Sequence, residues 1–398
     1  MNAKASVAVL TVLLLAACGG QSAPASQSAA AKPASSSPAA APSGTSGSAG
    51  ASPQASGAAA AGWDDLVAAA KKEGALSLYG TPGTPYRQVS VVEFEKAFPG
   101  IKVDGAFIPP TDQQSRLNLE RQAGKYLADV TQAPGGSQLV AYREAKWMAP
   151  LAPNFVLPEV TDTSKWFQNQ LPWVDSGEPH LWLSPVGSVI PIVFVNKSVD
   201  ASQFTSYKDL LDPKWKGKLA STDIRNPGPG VAPSRFIRKS PDLGPSFVKQ
   251  LFAPGAVKLS TDQRQLIDWV AQGTYPVGLF LDPGEVAIAI KQGLPITMVP
   301  PEQFKEGAAI GPNNAGVAVF DRAPHPNAAK LYVNWILSRE GQTIWQREVG
   351  DNSLRTDIPK DGVNPAFVTK PGVNYTNVGV EDIVNQFPTS QLKDLISN

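Results

Sequence analysis

Between Ala75 and Trp147 one unit recurs: a short apolar strand, a loop rich in Gly, Pro and Thr, then a helical pattern. "ALSLYG" opens into "TPGTP", residues 81–85, and a helix over Tyr86–Phe98 that stops at "PG". "IKVDGAFI" alternates Ile101, Val103 and Phe107, then gives way to "PPTDQQSRLNLERQAG", where Thr111 or Asp112 caps a helix ending at Gly124. "LADVTQ" is the next strand, followed by "APGG" and a helix running toward Trp147. A further helix precedes the series: "WDDLVAAAKKEG" sets Trp63, Leu66, Val67 and Ala70 on one face, with Gly74 as its stop. Strand and helix alternating in this way predict an α/β architecture with mostly parallel sheets.

That architecture has a consequence for binding. In open parallel sheets the loops after the strand ends gather at one edge. "TPGTP", "PPTDQ" and "APGG" therefore share a rim, where helix N-termini offer free N–H groups and a positive dipole end to an anion. Taken singly, each loop is also what an ordinary short connection looks like.

The N-terminal part is set aside from the fold. Lys4 precedes an apolar segment, Val7–Ala17, too short to span a bilayer, which needs about 20 apolar residues. It ends in "LAAC", which resembles the lipobox of bacterial lipoproteins, and this implies a signal peptide over 1–17 and lipidation of Cys18. Residues 19–62 hold only Gly, Gln, Ser, Ala, Pro and Thr apart from Lys32, so 18–62 is predicted to be a disordered, lipidated linker. Cys18 is the only cysteine, which rules out a disulfide framework or cysteine-based metal site in the body, 63–398. Acidic and basic residues balance without clustering, so nucleic acid is not an expected partner.

The order of further segments is more specific. "GSVIPIVFVNKS", "SYKDLLDPKWKGKLASTD", "QGTYPVGLF" and "AGVAVFDRAPHPNAAKLYVNWILSREGQTIWQ" follow one another. With the opening "WDDLVAAAKKEGALSLYG" and "FEKAFPGIKVD", this series resembles the periplasmic solute-binding proteins of ABC importers, in the branch containing ferric-ion-binding proteins. The resemblance covers 63–355. It implies a type II periplasmic-binding fold of two lobes joined by a hinge: lobe 1 about 63–180 plus 297–345, lobe 2 about 181–296 plus 346–398. It also implies a monomer that passes a small-molecule solute to an ABC permease outside the cytoplasm, in the periplasm or at the outer face of the cell membrane.

The same resemblance bears on the metal. By alignment, the branch's histidine, glutamate and tyrosine-pair positions fall at about Gly83, Pro134 and Pro283-Gly284, none of which offers a side-chain donor to Fe(III). No metal and no cofactor is expected, and chelated ferric iron or another cation remains the alternative solute. Candidate solute contacts are Tyr79, Thr81 and Thr84 on the first rim loop, Thr111 and Asp112 on the second, Thr222, Asp223 and Arg225 in "LASTDIRNPGPG", and Asp282. Arg225 leads because a guanidinium fork matches carboxylate, phosphate or phosphonate oxygens; Arg235 and Arg355 rank behind it. These point to a small anionic solute. A sugar would instead stack on aromatics such as Trp166, Trp173 and Trp182, which read equally as lobe packing. The absence of "GxSxG" and "HExxH" and the presence of only two separated histidines disfavour an enzyme. A sensor module would share this fold and cleft. Finally, "LDPGEV" reads as a helix start with Asp282 as N-cap and Pro283 at the first helical position, and only secondarily as a ligand contact.

Overall fold

A computed structural model describes residues 62–396. The expected signal peptide, Cys18 and nearly all of the linker lie outside the described residues. Helix Trp63–Glu73 buries Leu66 and Ala70 and ends at Gly74, whose φ of 72° lets its N–H reach Ala70 O. Twelve strands follow among the described residues: β1 Ala75–Gly80, β2 Lys102–Phe107, β3 Val130–Gln132, β4 Ser188–Ile190, β5 Val193–Asn196, β6 Leu219–Thr222, β7 Val257–Ser260, β8 Val277–Leu279, β9 Ile296–Met298, β10 Ala308–Gly311, β11 Val317–Val319 and β12 Tyr375–Asn377.

Two larger sheets share a plan. In one, β1 lies between β2 and β3, all parallel, and β11 adds antiparallel to β3. In the other, β6 lies between β7 and β8, again parallel, and β5 adds antiparallel to β8 with β9 at the edge. The parallel trio is what the repeated strand–loop–helix unit dictates. The antiparallel strands come from outside the repeats, so the sheets are mixed rather than purely parallel. A third sheet, β12-β10-β4, joins the two, because β4 leads into β5 and β10 leads into β11.

Each larger sheet has its own apolar core. Leu76, Leu78, Phe94, Val130, Trp335 and Trp345 lie in the first; Val193, Phe236, Phe247, Leu279 and Phe304 lie in the second. The lobe limits read from the sequence cut across these cores. Leu183, Val186 and Leu354 pack with the first core, whereas Val299, Phe304 and Ala309 pack with the second. The chain crosses between cores along β4 and β10, so burial rather than chain order sets the division.

Local differences have local causes. The helical run Thr84–Ala97 contains a π-helical stretch, Gln88–Glu93, within the helix expected over Tyr86–Phe98. The next helix, Pro110–Gln122, starts on Pro110 itself, so Thr111 and Asp112 sit inside its first turn and neither caps it. Proline suits that position because its missing N–H would have no intrahelical partner there.

Candidate ligand site

The loops after β1, β2 and β3 leave one edge of the first sheet, and those after β6 and β8 leave one edge of the second. Tyr79, near the end of β1, is buried and donates its hydroxyl to Glu120 Oε1, so its polar atom is already engaged. Burial, first of all, raises its pKa. Thr81 is half-buried with a hydroxyl that lacks a partner, while Thr84, Thr111 and Asp112 are exposed.

On the second sheet, Thr222 Oγ1 accepts from Gln263 Nε2 at 2.9 Å, and Asp282 N donates to Gln263 Oε1 at 2.9 Å. Gln263 thus ties the ends of β6 and β8 together. Asp282 Oδ1 accepts from Gly284 N and Glu285 N at 2.9 and 3.0 Å, with Pro283 at the first helical position. Asp282 is the expected N-cap, but Gln263 rather than Glu285 takes its backbone N–H. Asp223 and Arg225 pair with each other: Nε to Oδ1 and Nη2 to Oδ2, both 2.8 Å. The fork favoured for a solute is filled by a carboxylate two residues away. The hydrogen bond from Arg225 holds the Asp223 carboxyl below its ordinary range.

A cavity of about 300 Å³ opens where the two larger sheets meet the third. Pro134 and Gly136 reach it from the first sheet, Ile190 and Gly311 from the crossing strands, Ala232 and Arg235 from helix Val231–Lys239, and Asn313 and Asn314 from the loop after β10. Of the three rim loops only "APGG" reaches it; none of Tyr79, Thr81, Thr84, Thr111, Asp112, Thr222, Asp223, Arg225 and Asp282 lines it, whereas the lower-ranked Arg235 does. Gly135 and Gly136 both have positive φ, 85° and 57°, which lets the chain turn sharply after β3 at the cavity wall. Ala232 and Arg235 are three apart and share a helix face, while Phe236 and Ile237 enter the second core.

Arg235 is the unusual member. Its Nε is buried without a partner, and Nη1 has only a marginal contact, 3.5 Å to Val378 O. No carboxylate pairs with it among the described residues. Burial lowers its pKa. Arg238, one turn on, is spent on carbonyls of the C-terminal segment, Phe387 O at 2.8 Å and Pro388 O at 3.0 Å. Burial and then repulsion from Arg235 push Arg238 down to about 10. Half-buried Arg235 and buried Arg238 have no carboxylate partner among the described residues, although Glu144 lines a neighbouring depression with Arg235.

Elsewhere the candidates are structural. Trp166 and Trp182 are buried, and Trp173 stacks on His180 at 4.3 Å between centroids. Arg355 is fully buried and donates to Asp357, Glu159 and Leu337 O. Gly83 is exposed, Pro134 lines the cavity, and Pro283 and Gly284 begin a helix. Among the described residues no group of three His, Cys, Asp or Glu is placed to hold a metal. A depression of about 800 Å³ lies apart from the strand ends; its charged walls include Lys96 and Arg347, both paired with Glu93.

The sequence model of the family described as bacterial extracellular solute-binding protein matches residues 79–343. Similar solved structures share the fold at low identity. Ferric iron-binding protein A of Mannheimia haemolytica, in an open conformation, superposes with a TM-score of 0.62 at 16% identity, covering 81% of this chain and 98% of that one. A Trichodesmium protein in complex with iron and citrate gives 0.57 at 20%, covering 81% and 98%. The periplasmic binding protein AfuA of Actinobacillus pleuropneumoniae, with fructose-6-phosphate bound, gives 0.54 at 19%, covering 81% and 98%. The fold is therefore the type II periplasmic-binding fold.

Proposed function

Because this chain belongs to the bacterial extracellular solute-binding protein family, whose members bind solutes rather than transform them, we propose that it captures a small anionic solute for an ABC permease. The solute is an organic acid, a phosphonate or a phosphate-bearing molecule, held between two lobes. The observation that carries this reading is Arg235: a guanidinium without a carboxylate partner, on the wall of an inter-sheet cavity. An unpaired, partly buried charge with a buried Nε carries a desolvation cost, and an anion relieves that cost on binding. Micromolar affinity needs about 8 kcal/mol, and charge-assisted hydrogen bonds contribute about 1.5–3 kcal/mol each. A forked contact from Arg235 supplies a large part, with polar contacts from Asn313 or Asn314 adding to it. The neighbour holding a sugar phosphate agrees with this chemistry.

The neighbour with iron and citrate supports a second reading, a chelated ferric ion, since such a complex also carries anionic oxygens. In either case lipidation at Cys18 tethers a monomeric receptor to the membrane, and Cys18→Ala should release the protein from the membrane fraction. The function is tested by ligand-induced thermal shifts of the full-length chain with phosphates, phosphonates, carboxylates, glucose and ferric citrate. Stabilisation by an anion, lost in Arg235→Gln, supports the first reading. Stabilisation by ferric citrate but by none of the free anions supports the second, and stabilisation by glucose alone defeats both.

A further inference from the structure

The cavity also carries acceptors, and their orientation is fixed by the protein. Asn313 Nδ2 donates to Asp351 Oδ1 at 2.5 Å and to Ser188 Oγ at 2.9 Å. A carboxamide nitrogen has two N–H groups, so both are used. The other oxygen of Asp351 accepts from Trp345 Nε1 at 3.1 Å. Burial raises the Asp351 pKa, but both its oxygens accept, from Asn313 and from Trp345, and these bonds favour the carboxylate form, beside which the amide nitrogen rather than the oxygen belongs.

Asn313 Oδ1 is thereby turned from Asp351 toward the cavity. A side chain at Gly311, itself a cavity residue, would place its Cβ 4.0 Å from that oxygen. No donor among the described residues reaches Asn313 Oδ1, and it is not sealed from solvent. The backbone agrees: Asn313 has φ of 46°, a left-handed conformation that asparagine tolerates better than most residues. Asn314 donates Nδ2 to Tyr86 OH at 2.7 Å and leaves its own oxygen without a donor.

We propose that the solute carries a hydrogen-bond donor, a hydroxyl or ammonium group, beside its anionic group. Asn313 reads that donor and Asp351 is the positioning residue that aims the Asn313 amide. This rests on the anion reading above and narrows it to small hydroxy- or amino-substituted acids, phosphates or phosphonates. The cavity has room for about ten water-sized groups, which suits such molecules. A site built to hydrogen-bond a donor discriminates against the analogue lacking it, because the acceptor is desolvated without a partner.

The test is isothermal titration calorimetry of the full-length chain with matched pairs: glycerol 3-phosphate and propyl phosphate, glycerate and propionate, 2-aminoethylphosphonate and ethylphosphonate. The donor-bearing member of at least one pair is expected to bind about 10- to 100-fold more tightly. Asn313→Gly keeps the left-handed backbone available and should bring that ratio close to one. Asp351→Asn should also reduce the ratio, by letting the Asn313 amide turn over, with circular dichroism reporting its fold. Equal affinities within every pair in the wild type, or a ratio unchanged in folded Asn313→Gly, overturn the donor inference. If both members of a pair bind equally and Arg235→Gln abolishes both, the anion reading stands alone. If no anion in the panel binds, both fall.

Discussion

Arg225 and Arg235 occupy adjoining segments of the second lobe, one on the loop after β6 and one on the helix that follows. The first meets Asp223 through two 2.8 Å contacts. The second meets no carboxylate among the described residues and keeps a buried, unpartnered Nε. The two residues carry the same charge and reach; they differ in what lies two residues upstream. An aspartate at that spacing neutralises Arg225 within its own turn. Proline at 233 and the apolar neighbours Phe236 and Ile237 leave Arg235 nothing local to bind. Of these two guanidinia, the one the fold leaves unpaired is therefore Arg235, whatever the place of Arg225 in a rim loop.

Arg355 extends the comparison and gives the largest expected effect. Its side chain is fully buried and satisfied by two carboxylates and a backbone carbonyl. Arg355→Ala empties a buried site and leaves Leu337 O without its donor, while the freed carboxylates are partly exposed, so it should cost about 2–4 kcal/mol of stability in denaturant titrations. Binding per folded molecule should not change. If binding fell instead with stability intact, Arg355 and not Arg235 would be the solute's partner.

Arg235→Gln should show the opposite pattern. Removing a forked contact to an anion is expected to weaken binding by about 2 kcal/mol or more. Stability should hold or rise slightly, because an unpaired, partly buried charge is gone. Loss of stability of Arg355 size would break the contrast on which the site assignment rests.

Asp282 is the acidic counterpart of Arg225, a charge used locally. Its carboxylate accepts from Gly284 N and Glu285 N, so Asp282→Ala should cost about 1 kcal/mol in thermal or chemical unfolding. Solute affinity measured by calorimetry should stay the same; a selective loss of affinity would return Asp282 to the site.

Much of this organisation is legible in the chain. The Gly74 stop, the strands β1 and β3, and the Asp282-Pro283 helix start follow from residue chemistry within a few positions, and the structure reproduces each. The antiparallel strands β5 and β11 are not legible, because strand direction depends on partners far along the chain. The cavity is hidden for the same reason. "GPNNAG" reads as a turn, and only the packing of β4, Asp351 and Trp345 around Asn313 makes it a cavity wall. Arg235 carried one usable signal, an arginine without an acidic residue within a helical turn on either side. The match of a guanidinium fork to anion oxygens puts Arg225 first, but it does not tell the two arginines apart.

The smallest effect bears on why Arg225 is occupied. The hydrogen bond from Arg225 is the largest cause depressing the Asp223 pKa, which lies below the unfolded value of about 3.9. A carboxylate with a depressed folded-state pKa contributes stability above the unfolded value, and that contribution is lost as pH falls through the folded one. Because the pair is partly exposed, its contribution at neutral pH should be below about 1 kcal/mol. Asp223→Asn should therefore be slightly less stable than wild type at pH 7, with the gap closing as the medium is acidified below about pH 4. The same variant releases the Arg225 fork. If anion affinity then rises and survives Arg235→Gln, Asp223 is holding a second anion contact in reserve. If affinity is unchanged, the loop after β6 serves the fold alone, and the difference between the two arginines is one of function.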